Sequence, residues 1–128
     1  MSEEIHTGSC LCGRIRLRIS GPMRAVVACH CGQCRKQTGH YYAATNAPDG
    51  AIEIEGREHL KWFQSSEEAK RGFCAECGSA LLWKHDKDDF TSILAGCLDK
   101  PTGLRLEKHI FVADKGDYYD ITDGLPQS

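Results

Sequence analysis

Nowhere in this chain is there an apolar run near the ~20 residues that cross a bilayer as a helix, so a membrane-spanning helix is excluded as a reading. Basic charge is not in surplus either. Sixteen Lys and Arg stand against eighteen Asp and Glu, for a formal net charge of -2. A protein that binds nucleic acid by neutralising phosphates needs the opposite balance, so no nucleic-acid partner is expected. Coordinated thiolates would deepen the negative balance further. Internal repeats, low-complexity segments and an interdomain linker are all missing, and 128 residues suit one domain spanning 1–128. The N-terminal stretch MSEEIHTGSC is acidic and polar, without the basic and apolar regions of a secretory signal, which makes a cytoplasmic location the expectation.

Helical periodicity is scarce. One turn after Cys34 and another around Leu98 are the helical expectations. What the chain does have is short alternating runs. In RIRLRI, Ile15, Leu17 and Ile19 point one way and Arg14, Arg16 and Arg18 the other, the period-two pattern of a half-buried strand. AVVAC, residues 25–29, reads as a more buried strand, and HYYAAT as a third. AIEIEG alternates again. SALLWKH and FTSILAG flank an acidic turn and read as a hairpin, with RLEKHIFV as the last clear strand. The expected class is mostly β, built of small antiparallel sheets.

Histidine is present six times but never in a pair at the three-to-five-residue gap of a zinc motif. Cysteine is the reverse case. Eight cysteines in a chain without a secretory signal point to metal or redox chemistry rather than disulfides. Seven of them cluster as Cys10-x-Cys12, Cys29-x-Cys31-x-x-Cys34 and Cys74-x-x-Cys77. Residues i and i+2 of a strand share a face, so C-x-C can offer two thiolates to one ion. Glycine follows a cysteine at 13, 32 and 78, which suits the turns of a metal knuckle. Cys10 and Cys12 joined with Cys74 and Cys77 make a closed four-cysteine structural zinc site. Cys29, Cys31 and Cys34 are then three ligands with one open position, the pattern of a catalytic zinc. Two zinc ions per chain follow. Cys97, alone in LAGCLD, decides the second site: if it folds back, that site is closed, and a non-catalytic structural or protein-interaction module is the competing reading. His30, between two ligands, should point away from them. Arg35 and Lys36, directly after the triplet, are candidate contacts for a carboxylate of a ligand.

GSCLCG, CHCGQCRKQTG and FCAECGSALLW, in that order, with LAGCLDKP, EKHIF and ITDGLP after them, resemble the glutathione-dependent formaldehyde-activating enzyme family over nearly the whole chain. The resemblance implies a β-tent type fold organised around zinc. It matches Cys10, Cys12, Cys74 and Cys77 to the structural ligands, and Cys29, Cys31 and Cys34 to the catalytic ones. It also implies a carbon–sulfur lyase-type activity, adding glutathione or a similar thiol to formaldehyde or another small carbonyl to give an S-hydroxymethyl adduct. In such a reaction the developing alkoxide needs a proton, and His30, His40, Tyr41 and His109 are the candidate donors.

Overall fold

The computed structural model describes residues 4–128. Ten strands and one short α-helix form two sheets. The smaller sheet joins β1 (Ile5–Ser9), β2 (Arg16–Ser20) and β5 (Ile52–Glu55), all antiparallel, in the order β1-β2-β5. The larger has seven strands: β3 (Val26–Cys29), β4 (Tyr42–Pro48), β6 (Leu60–Gln64), β7 (Ala69–Cys74), β8 (Ala80–His85), β9 (Phe90–Leu94) and β10 (Leu106–Ile110). Their order is β10-β3-β4-β9-β8-β7-β6. The helix α1 (Gly32–Thr38) follows β3 directly.

The mostly β, largely antiparallel architecture expected from the alternating runs is what the chain adopts. One pair departs from it. β10 runs parallel to β3. A parallel neighbour needs a long connection rather than a tight turn, and most of the chain lies between these two strands. β3 reads as a continuous apolar run because it is buried on both faces between β10 and β4.

The main core lies between the sheets. Ile15, Leu17 and Ile19 are almost wholly buried there, while Arg16 and Arg18 face solvent. They meet Leu82, Ile93 and Ala47 of the larger sheet. Side chains alternate along each strand, so the residues next to these, Trp83 on β8 and Ser92 on β9, point to the other face of the larger sheet. That second face carries a separate, smaller cluster around Cys29, Cys34, Tyr42 and Ala44. The division of the larger sheet into two faces decides what each candidate site residue can reach.

Two strands were not legible as strands in the sequence. β1, IHTGS, has no apolar alternation, and β7, AKRGFC, carries two basic residues. Both are held by their partners: β1 pairs with β2 along its length, and β7 sits between β6 and β8. The expected turn around Leu98 is a single 3-10 turn over Ala95–Cys97.

Candidate metal centres and the cavity beside them

The sulfur atoms of Cys10, Cys12, Cys74 and Cys77 all lie within 4.8 Å of one another. The first pair comes from the loop between β1 and β2, the second from the last residue of β7 and the turn that follows it, so the group ties the small sheet to the large one. The two loops are built alike. Gly13 N–H donates to the Cys10 carbonyl at 3.1 Å, and Gly78 N–H to the Cys74 carbonyl at 2.8 Å. Both glycines sit at φ 79, in the left-handed region that a Cβ would strain. Gly32 is different: it is the first residue of α1 and needs no such freedom. There the local structure comes from Cys31, which caps the helix by accepting the Cys34 N–H on its sulfur at 3.3 Å.

Four sulfurs held about 2.3 Å from one zinc stand ~3.8 Å apart at the corners of a tetrahedron. Cys12 Sγ lies 3.8 Å from Cys74 Sγ and 3.5 Å from Cys10 Sγ. The donor set and its spacing therefore fit a closed, four-thiolate metal site. Burial pushes the Cys74 thiol up to about 11, while hydrogen bonds from Ser79 bring Cys77 down to about 5. Ser79 also accepts the Leu11 N–H at 2.9 Å, linking the two loops a second time.

Cys29, Cys31 and Cys34 form the second sulfur group, again within 4.8 Å of one another. Cys31 Sγ and Cys34 Sγ approach to 2.9 Å. A hydrogen bond from the Cys34 thiol stabilises the Cys29 thiolate and lowers its pKa, and the same bond, with burial, raises that of Cys34. Cys97 belongs to neither group. It packs against the main core, and burial pushes its thiol up to about 12, as for a small apolar residue. The triplet therefore has no fourth cysteine among the described residues, and its donor set fits a metal held by three protein ligands.

The triplet opens onto a cavity of about 350 Å³ on the second face of the large sheet. Strand parity explains the lining. Cys29 pairs with Tyr42 on β4 and with Ile110 on β10, and all three line the cavity. Farther across, Arg71, Trp83 and Ser92 are cross-strand neighbours on β7, β8 and β9, and they complete the same face.

Arg71 is the residue that sequence reasoning missed. It is 4% exposed, and its Nη2 donates to Cys34 Sγ at 3.5 Å. Gln37 and Gln33 on α1 accept from the guanidinium at 3.0 and 3.3 Å. A buried cation against Cys34, within the same sulfur group as Cys29 and Cys31, offsets the charge of an ionised thiol there. Nothing near Arg71 in sequence signals this, because its partner is 37 residues away. Tyr42 is the second. Its hydroxyl is buried and makes no well-formed hydrogen bond. Burial raises its pKa, against a weaker pull from Ser92, so it stays a neutral phenol. Phe111, at the rim, holds a left-handed φ of 54, which a non-glycine residue adopts at a cost of about 1–2 kcal/mol.

The expected proton donors lie elsewhere. His30 does point away from the sulfurs, as its place between Cys29 and Cys31 requires. It shares a face with His109, whose strand neighbour is Ala28. His30, His40, Tyr41 and His109 gather with Tyr118 and Tyr119 into one cluster of rings, and none of them lines the cavity. Arg35 and Lys36 follow Cys34 on α1, and neither lines the cavity.

Residues 5–114 match the family model described as glutathione-dependent formaldehyde-activating enzyme. A "Putative glutathione-dependent formaldehyde-activating enzyme" of Halomonas elongata is 29% identical over 127 residues, covering 89% of this chain and 79% of that protein. An uncharacterised lyase of Schizosaccharomyces pombe is 24% identical over 119 residues, covering 92% of this chain and 86% of its own. In fold, the chain is similar to the crystal structure of a Rhodobacter sphaeroides protein, with a TM-score of 0.63 at 21% identity. That likeness covers 73% of this chain and 88% of the other.

Proposed function

Since the chain belongs to the glutathione-dependent formaldehyde-activating enzyme family, we propose that it is a zinc-dependent carbon–sulfur lyase-type enzyme. It adds glutathione, or a similar small thiol, to formaldehyde or another small carbonyl, giving an S-hydroxymethyl adduct. The observation that carries the reading is the sulfur triplet: three cysteines, no fourth among the described residues, at the wall of a cavity large enough for a small ligand. A metal-interaction module with no chemistry would close its site, and the one remaining cysteine, Cys97, packs into the main core instead.

In this reading Cys10, Cys12, Cys74 and Cys77 hold one zinc that supports the fold, and Cys29, Cys31 and Cys34 hold a second. The second zinc, when bound, supplies a position at which a thiol ionises near neutral pH and becomes the nucleophile. The protein's own residues do the rest. Arg71 donates to Cys34 and offsets the negative charge that three thiolates bring into an apolar cavity. Tyr42 offers a neutral hydroxyl, with only Ser92 beside it and no well-formed hydrogen bond, as donor to the alkoxide that develops as the carbonyl is attacked. Ile110, Trp83 and Ala44 exclude water and so strengthen both interactions. His30, His40, Tyr41 and His109 are on the other face, and their role here is to fix the strand ends that carry the ligands. The same arrangement run backwards breaks the carbon–sulfur bond.

The test is direct. The zinc-loaded protein is mixed with glutathione and formaldehyde, and adduct exchange is followed by NMR. The proposal expects exchange well above the spontaneous rate, lost in Cys29→Ser. A rate equal to the spontaneous one would sink the formaldehyde assignment.

A further inference from the structure

The cavity beside the triplet is lined by two charged residues, Arg24 and Arg71, and by no Asp or Glu. Both guanidinium groups are incompletely used. The Nε of each is buried without a hydrogen-bond partner. Arg71 spends its other donors on Cys34, Gln33 and Gln37. Arg24 donates only from Nη2, to the Ala44 carbonyl at a long 3.4 Å. Arg24 lines the cavity and spends only one long hydrogen bond on the protein, so its guanidinium is left short of acceptors at the cavity wall.

We propose that this cavity recognises its thiol substrate by a carboxylate, bound by Arg24, and that it has no subsite for an ammonium group. The inference rests on the thiol-addition reading above and narrows it to a substrate class. A carboxylate supplies two acceptor oxygens to a guanidinium in a geometry that a hydroxyl or a single amide oxygen cannot match. An ammonium group would meet Arg24 and find no carboxylate in the cavity wall, the negative charge of the sulfurs being offset by their metal and by Arg71. Arg71 stays with the sulfurs, which leaves Arg24 to read the far end of the ligand. The expected substrates are therefore mercaptocarboxylates. Glutathione qualifies by a carboxylate, and a short mercapto acid should serve as well, because nothing in the wall reads a peptide ammonium.

Binding to the zinc-loaded protein is measured by titration calorimetry with 3-mercaptopropionate, 2-mercaptoethanol and 2-aminoethanethiol. The carboxylate thiol should bind about tenfold or more tightly than either of the others, a gap appropriate to one charge-assisted bidentate contact. It should do so although its thiol ionises least readily of the three. Arg24→Gln should erase the preference and Arg24→Lys should keep part of it. 3-(Methylthio)propionate, which cannot ionise at sulfur, should still compete with 3-mercaptopropionate in the native protein and not in Arg24→Gln. If Arg24→Gln fails to fold, the native ligand series and Arg24→Lys carry the test. Equal affinities across the three thiols, or a preference that survives in Arg24→Gln, would overturn the inference. The two readings fail separately. Discrimination without acceleration of adduct formation leaves the carboxylate site standing and removes the reaction. Equal acceleration with 2-mercaptoethanol and 3-mercaptopropionate keeps the reaction and removes the site.

Discussion

His30 Nε2 stands 2.9 Å from His109 Nδ1, with both rings almost wholly buried. The pair is the middle of a longer chain. His109 Nε2 lies 2.7 Å from Asp123 Oδ2, and His30 Nδ1 lies 2.5 Å from the Tyr119 hydroxyl. One arrangement of protons satisfies every link: His109 donates to the Asp123 carboxylate, His30 donates to His109, and the Tyr119 hydroxyl donates to His30. The chain ties the C-terminal segment to the end of β3, where Cys29 and Cys31 begin the sulfur triplet.

Asp123 is the anchor of that chain, and its pKa gives a pH signature. Its carboxyl is held below the ordinary value by the Leu125 backbone N–H first and by His109 second. A carboxylate whose folded pKa is depressed adds stability that is present above its unfolded value of about 3.9 and is lost as pH falls through the folded one. Asp123→Asn should therefore be less stable than the native chain at pH 6, with the gap closing as pH drops below about 4. Urea unfolding of both proteins across pH 3–6 measures the gap directly. The comparison holds over the part of that range in which both proteins keep the metal of the four-cysteine site, since its loss would unfold either one.

The halves of the sulfur groups are legible in the sequence because metal knuckles are local: C-x-C and C-x-x-C spacing followed by glycine brings two thiols together, and counting ligands to four then joins Cys10 and Cys12 to Cys74 and Cys77, which do converge. The orientation of His30 is legible for the same reason, since parity within one strand is a local property. What lines the cavity is not, because it depends on register between strands. Tyr41 and Tyr42 are adjacent in sequence, and only the pairing of Tyr42 with Cys29 decides which of them shares the sulfurs' face. Arg71 is hidden further, on a strand whose own sequence has no strand pattern. The helical turn expected after Cys34 begins earlier, at Gly32, because the Cys31 sulfur serves as its cap.

The two sulfur groups should respond differently to losing a ligand. Structural zinc supplies ~10–16 kcal/mol in small metal domains, comparable to the whole ~5–15 kcal/mol stability of a typical protein. Cys10→Ser should therefore abolish the cooperative fold, seen as loss of the thermal transition by circular dichroism. Cys29→Ser should keep the fold and lower bound zinc from two equivalents to one, measured by elemental analysis.

Cys97→Ser separates packing from ligation. Cys97 contacts the main core and lies outside both sulfur groups. The substitution should leave sulfur coordination by X-ray absorption unchanged at both sites. It should cost about 1 kcal/mol of stability, because a hydroxyl is placed where a partly buried apolar sulfur packed against the core. Loss of one zinc–sulfur contact would instead place Cys97 at the triplet and favour the closed, non-catalytic module.

Chelators should strip the triplet first. Three thiolates leave one position exchangeable, whereas the four-cysteine site must open a protein ligand before its metal can leave. Titration with a chelating dye should release one zinc equivalent quickly and the second slowly, with the thermal transition falling only in the slow phase. Release of both at one rate would contradict the assignment of an open and a closed site.

Tyr42→Phe tests the chemistry with little disturbance of the fold. The hydroxyl it removes is buried and makes no well-formed hydrogen bond, only a weak interaction with Ser92, so deletion should be nearly neutral in stability. If Tyr42 donates to the developing alkoxide, the rate of adduct formation should fall by about 10²–10³, the usual effect of losing one donor at an oxyanion. Thiol affinity should hold, because the ground-state ligand does not use the hydroxyl, so the loss should lie in kcat and leave KM for the thiol nearly unchanged. Tyr41→Phe is the matched control. Its ring lies in the histidine cluster on the opposite face, and its removal should leave kcat within a factor of about two, an effect too small to be the loss of a transition-state contact. If the two variants exchange these outcomes, the site of proton donation belongs to the histidine face, and the cavity would then bind the thiol without completing the reaction.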